Sequence, residues 1–193
     1  MWNNSGEIIN SKGLDSSAAE QEDNMDKTII IYRSKTGFSR RCALWLGEDL
    51  RCRAADWSER KGLDLAAYST VILVSGLYAG QMAGLKWLTK QLPRLEGKRV
   101  AAVALGASPA ESPECKETLE KLFKPLPQVR GFYCQGGLDY EHMGAVNRTL
   151  MAGLRSMLRK DPEKAEMLDY ISKSFDVLKR ESLEPVLAWV RGE

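Results

Sequence analysis

Three hydroxyl side chains crowd into "YRSKTGFS", residues 32–39, where Ser34, Thr36 and Ser39 surround Gly37 and no carboxylate intervenes. The run "TIII" precedes this loop, and after it Phe38, Cys42, Trp45, Leu46 and Leu50 recur at helical spacing. A strand that hands over directly to a helix leaves unpaired backbone N–H groups at the positive end of the helix dipole. Such a loop binds anions, and its hydroxyls suit a phosphate monoester. Neither G-x-x-x-x-G-K-[ST] nor G-x-G-x-x-G occurs, so the loop is not built for a magnesium triphosphate or a dinucleotide. On the loop alone, the same residues also read as ordinary helix N-caps.

A second loop, "SGLYAG" at residues 75–80, sets Tyr78 among Gly76, Ala79 and Gly80. Small neighbours let backbone amides approach a planar ligand stacked on that ring, although a loop tyrosine shielding a sheet edge would look the same. Metal and nucleophile chemistry find little support. The four cysteines (Cys42, Cys52, Cys115, Cys134) form no C-x-x-C pair, and His142 is the sole histidine, so no metal site is expected. Cys115 falls in the first turn of a helix, whose dipole lowers a thiol pKa, but Glu111, Glu114 and Glu117 oppose that effect. Asp139 and Tyr140 fall near the same sheet edge, where they shape a turn or touch a substrate.

The elements that must carry these loops alternate along the chain. Strands are expected over 27–32, 52–56, 69–76, 97–105 and 129–137, with helices over 37–50, 81–92 and 112–123. The remainder, 141–193, reads as two or three helical pieces broken near Asp161-Pro162. Continuously apolar strands separated by helices predict an α/β fold: a five-stranded parallel sheet with helices on both faces. Loops at the carboxyl ends of such strands build the binding site.

Residues 1–25 carry five acids against one lysine and show no periodicity, so they are expected to be a disordered N-terminal tail, with Met25 an alternative start to Met1. The domain proper is expected over 26–193. The whole chain has net charge +2 and the tail −4, which leaves +6 on that domain, suited to anionic ligands without demanding nucleic acid. No run approaches the roughly 20 apolar residues of a membrane span, and no secretory signal is evident, so a cytoplasmic protein is expected.

Taken together, these segments resemble a known family. "YRSKTGFS" resembles the flavodoxin phosphate signature [ST]-x-T-G-x-[ST], which follows the first strand. "VILVSGLYAGQMAGLKWL" (71–88), "GKRVAAVALGASP" (97–109) and "GGLDYEHMGAVNRTLMAGLRSML" (136–158) are similar to the flavodoxin-domain branch that includes the menaquinone-dependent protoporphyrinogen oxidases. The resemblance implies a three-layer flavodoxin-like fold with strand order 2-1-3-4-5 and bound FMN. It places the phosphate at Ser34, Lys35, Thr36, Gly37, Phe38 and Ser39. It places the isoalloxazine between Leu77, Tyr78, Ala79 and Gly80 on one side and Gly106, Ala107 and Ser108 on the other. Arg33 and Lys35 make the first loop more basic than is usual in the family, and the third loop lacks a second aromatic.

The implied function is an FMN-dependent oxidoreductase that moves electrons or hydride between bound FMN and a small or lipid-soluble substrate such as a quinone or a porphyrinogen. No catalytic acid, base or nucleophile is assigned, because the redox chemistry belongs to the flavin. The alternative is a flavodoxin-type electron carrier docking onto redox proteins, but such carriers are strongly acidic and this domain is basic. Within 141–160, Met143, Val146, Leu150, Met151, Leu154, Met157 and Leu158 form an apolar stripe in a segment of net charge +3. That stripe suits peripheral contact with the inner face of an acidic membrane, or packing on the sheet or on a second copy in a homodimer.

Overall fold

In β1 (Thr28–Arg33) alternate side chains enter opposite halves of the core, Ile29 and Ile31 on one face and Ile30 and Tyr32 on the other. This is why the strand reads as an unbroken apolar run. The computed structural model describes residues 27–193; the tail over 1–25 and the choice between Met1 and Met25 lie outside the described residues.

After β1 come α1 (Phe38–Asp49), β2 (Arg53–Asp56) and β3 (Thr70–Tyr78). A two-residue β4 (Gln81–Met82) precedes α2 (Leu85–Gln91), β5 (Arg99–Gly106), α3 (Pro113–Phe123) and β6 (Val129–Gln135). The five long strands pair in parallel in the order β2-β1-β3-β5-β6, which is the expected 2-1-3-4-5 arrangement. The sixth strand is β4, antiparallel to the end of β3. It replaces the first turn of the helix expected from residue 81. Ala79 and Gly80 both have positive φ (47° and 73°), the backbone of a tight two-residue hairpin turn that folds the chain back onto β3 before a helix can begin.

Helices cover both faces. Leu46 and Leu50 of α1 pack with Ile30, Ile72 and Val103, whereas Leu85 and Leu88 of α2 pack with Ile31, Leu73 and Ala102 on the opposite side. The chain then leaves the sheet. β7 (Gly137–Leu138) pairs antiparallel with β8 (Phe175–Asp176), and between them run α4 (Ala145–Leu158) and α5 (Ala165–Tyr170). This excursion forms an arm beside the carboxyl edge of the sheet. Pro162 opens the short turn between α4 and α5, where the sequence places the break.

The last segment returns to the sheet. Leu183 and, in α6 (Glu184–Arg191), Val186, Leu187 and Val190 are buried in the α1 half of the core. Arg99 donates to the carbonyls of Trp189 and Val190, a cation at a helix carboxyl end. Truncating Leu183, which is fully buried, is expected to cost about 2–5 kcal/mol through lost burial and the cavity left behind. Urea denaturation of Leu183→Ala measures this, and a loss under about 1 kcal/mol would mean that the C-terminal segment does not share the main core.

Candidate functional site

The first loop is shaped from within. Gly37 takes φ 92°, a left-handed conformation that other residues resist, and its N–H donates to Ser34 Oγ at 3.1 Å. Ser34 is thus occupied in holding the turn. The N–H groups of Thr36, Phe38, Ser39 and Arg40 meet no protein acceptor among the described residues, and the first turn of α1 carries no acid. Four donors at the positive end of a helix form an anion seat. Ser39 is buried beside them.

Tyr78 lies against Gly76, where an added Cβ would come within 2.7 Å of the phenol ring; any larger residue would displace it. Burial pushes the phenol's pKa up, and the nearby Arg33 guanidinium works against that rise. Lys35 places its ammonium 4.5 Å from the centre of the same ring.

The third loop has its carbonyls drawn away toward β6 and α5. Gly136 N–H donates to the Gly106 carbonyl, Tyr170 Oη and Gln135 Nε2 both donate to that of Ala107, and Tyr133 Oη donates to that of Ser108. The N–H groups of Ala107 and Ser108 have no protein acceptor among the described residues. Tyr133 lies over Gly106 and supplies the aromatic that the third loop itself lacks. Its signal in the sequence was masked because β6 reads as an ordinary apolar strand.

A cavity of about 510 Å³ joins the three loops. Thr36, Phe38 and Ser39 line it from the first, Leu77 to Gly80 from the second, and Gly106 to Ser108 from the third. Ser34, Lys35 and Gly37 are outside the lining, since two of them build the turn and Lys35 is turned onto Tyr78.

The arm closes the far wall, which sequence reasoning did not assign to the site. Met143, Leu150, Met151, Leu154, Met167 and Ile171 face the cavity, and Met side chains adapt readily to the shape of an apolar guest. The 141–160 stripe therefore divides: Met143 and Leu158 are buried, Leu150 and Leu154 form the cavity rim, and Val146 and Met157 remain 75% and 70% exposed. By helical periodicity, Arg148 and Arg159 fall roughly opposite the exposed residues. No helix among the described residues is long and apolar enough to cross a membrane.

Three attachments hold the arm in place. Arg41 of α1 binds both carboxylate oxygens of Asp176 at 2.6 and 2.7 Å, Tyr170 Oη donates to the Ala107 carbonyl at 3.0 Å, and the Phe38 ring packs beneath Gly136 and Gly137, while Tyr140 Oη, donating to the Ile171 carbonyl at 2.5 Å, ties the two ends of the arm to each other. Asp139 lines the cavity, but its carboxylate is already engaged. Oδ1 accepts the N–H groups of Glu141 and His142, and Oδ2 lies 2.7 Å from His142 Nδ1. Burial pushes the Cys115 thiol up, so the helix dipole does not make it a reactive thiolate. No group of acids, cysteines and histidine able to hold a metal occurs among the described residues.

A flavodoxin domain model matches residues 29–165. Among solved structures, the Trp repressor binding protein of Bacillus subtilis is similar at 15% identity and TM-score 0.41, covering 57% of this chain and 83% of that one. The azoreductase of Bacillus anthracis is similar at 10% identity and TM-score 0.40, covering 87% of this chain and all of that one. A comparison with curated proteins finds no match.

The hydrogen bonds to Asp139, foremost that from the His142 N–H, hold its carboxyl below the usual range. A depressed carboxyl stabilises the fold above its unfolded pKa of about 3.9 and ceases to do so as pH falls through the folded value. Asp139→Ala is therefore expected to cost about 1 kcal/mol at pH 7, with the gap to wild type narrowing below about pH 4. Urea titrations of both proteins across that range measure it, and a gap that widens toward acid would refute the assignment.

Proposed function

The chain belongs to the flavodoxin domain family, and from that premise we propose that it binds FMN and exchanges electrons or hydride between the flavin and a small or lipid-soluble substrate, a quinone as acceptor or a porphyrinogen as donor. The bound flavin supplies the redox chemistry, while the protein positions it and controls what reaches it. The Thr36 and Ser39 hydroxyls and the free amides of Thr36, Phe38, Ser39 and Arg40 would hold the phosphate, with Ser34 and Gly37 keeping the loop in shape. Leu77 to Gly80 would flank the tricycle on one side. Gly106 to Ser108 would present their free N–H groups to its polar rim on the other, with Tyr133 behind them.

One observation carries this reading: a single cavity connects an anion seat, an aromatic ring and a set of unpaired amides, the three features that a phosphorylated planar heterocycle requires. The acceptor class rests on the far wall, where methionine and leucine side chains of the arm offer an apolar surface and no cation. A lipid-soluble acceptor would enter past Leu150 and Leu154, both exposed at the rim. Peripheral membrane attachment through 141–160 belongs to the same proposal as a route for such an acceptor. The resemblance to oxidases that act on porphyrinogens indicates a porphyrinogen as the electron donor to offer first and a quinone as the acceptor. A domain of net charge +6 disfavours the alternative of an acidic electron carrier.

Native mass spectrometry of freshly purified protein is expected to show one FMN per chain. After anaerobic reduction, the holoprotein should pass electrons to soluble quinone analogues. Protein that retains no flavin and ignores added FMN would overturn the cofactor assignment. Flavin-loaded protein that reduces a cytochrome readily but no quinone analogue would instead be a carrier.

A further inference from the structure

The wall that the arm contributes to the cavity is apolar except at two side chains, Asp139 and Asn147. Asp139 is spent within its own turn, on the N–H groups of Glu141 and His142 and on the His142 ring. Asn147 shares one face of α4 with Leu150, Met151 and Leu154, at the i, i+3, i+4 and i+7 spacing that brings side chains into line. Its side chain is half-buried, and its amide meets no protein partner among the described residues. An amide set among apolar side chains costs free energy unless something bonds to it, and asparagine is a poor helix former. Leucine or methionine would complete the stripe better. The residue therefore answers to what occupies the cavity.

We propose that Asn147 is the specificity-determining residue for the acceptor: its amide hydrogen-bonds a carbonyl oxygen of a neutral quinone lying between the flavin and the arm. The inference rests on the FMN reading above and deepens it. An amide carries an NH2 donor and a carbonyl acceptor side by side, so it serves both redox forms of such a guest. The quinone takes two electrons and two protons from the reduced flavin and leaves as quinol, which turns each carbonyl into a hydroxyl. Asn147 donates to the first and, by rotating its amide, accepts from the second. Neutrality follows from the lining, which has no lysine, arginine or histidine and whose only charged side chains are the carboxylates of Glu114 and Asp139. A guest bearing its own carboxylates would find no partner for them on that wall.

Calorimetric titration of FMN-loaded, oxidised full-length protein tests this with two probes: the quinone menadione, and methylnaphthalene, which has the same rings without the oxygens. Asn147→Leu is expected to weaken menadione about fivefold to tenfold and to leave methylnaphthalene bound as tightly or more so. Asn147→Asp, which keeps an acceptor but has no NH2 group, should weaken menadione as Asn147→Leu does. FMN affinity, read from the quenching of flavin fluorescence by flavin-free protein, should be the same in all three proteins, and thermal melts verify that each variant folds. Equal weakening of quinone and hydrocarbon would assign Asn147 a packing role, unchanged menadione binding would remove it from the site, and weakened FMN would make it a flavin contact; each of these overturns the proposal. Wild-type protein that takes up no FMN would fail the FMN reading itself. FMN-loaded protein that binds neither probe would fail only the inference about Asn147.

Discussion

The site depends on β1 being hydrogen-bonded on both sides. Its residues pair in register with β2 from Ile29 opposite Arg53 and with β3 from Thr28 opposite Thr70. A strand paired along both edges and buried on both faces has no freedom to shift. The loop that follows it is consequently delivered to one place, and the amide groups at the start of α1 can be left without partners. Exposed polar backbone is tolerated only where water or a ligand satisfies it. A firm sheet thus allows an unsatisfied edge, and the unsatisfied edge is where a ligand gains affinity.

The second consequence concerns the arm. In a parallel sheet the loops at the carboxyl edge form an open shelf, and a flat ligand on that shelf would be exposed on its outer side. Here the chain beyond β6 departs for about forty residues before returning as β8, and it places an apolar helix face over the shelf. The attachments are of different kinds: an Arg41–Asp176 ion pair at the surface, the Tyr170 hydroxyl on the Ala107 carbonyl, and Phe38 wedged beneath two glycines. Surface ion pairs contribute little individually. The hydrogen bonds of Tyr170 and Gln135 to Ala107 have a further effect, because they occupy that loop's carbonyl while fastening the arm to it.

Much of this was legible in the amino-acid pattern. The strands around Ile29–Ile31, Val71–Val74 and Val100–Leu105 announce themselves because residues buried on both faces must all be apolar. The hydroxyl loop is legible because its small residues follow a strand and precede a helix. What the pattern conceals has equally physical causes. Gln81 and Met82 look like the start of a helix, yet the positive φ of Ala79 and Gly80 turns them into a strand, and a conformation at a neighbouring alanine leaves no mark in a periodicity. Tyr133 and the methionines of the arm lie far along the chain from the loops they face, and only their apolar character is written locally.

From the sequence by itself follow the layer architecture, the order of the elements and the loops that meet at one edge, because alternation of apolar strands and amphipathic helices admits few arrangements. The tertiary structure decided which atoms those loops leave unpaired, that an arm encloses the cavity, and that Lys35 lies on Tyr78 rather than in the seat beside it. These depend on contacts between residues distant in the chain and on the direction of individual N–H and C=O groups. Such directions are set only when every backbone group has found, or failed to find, its partner.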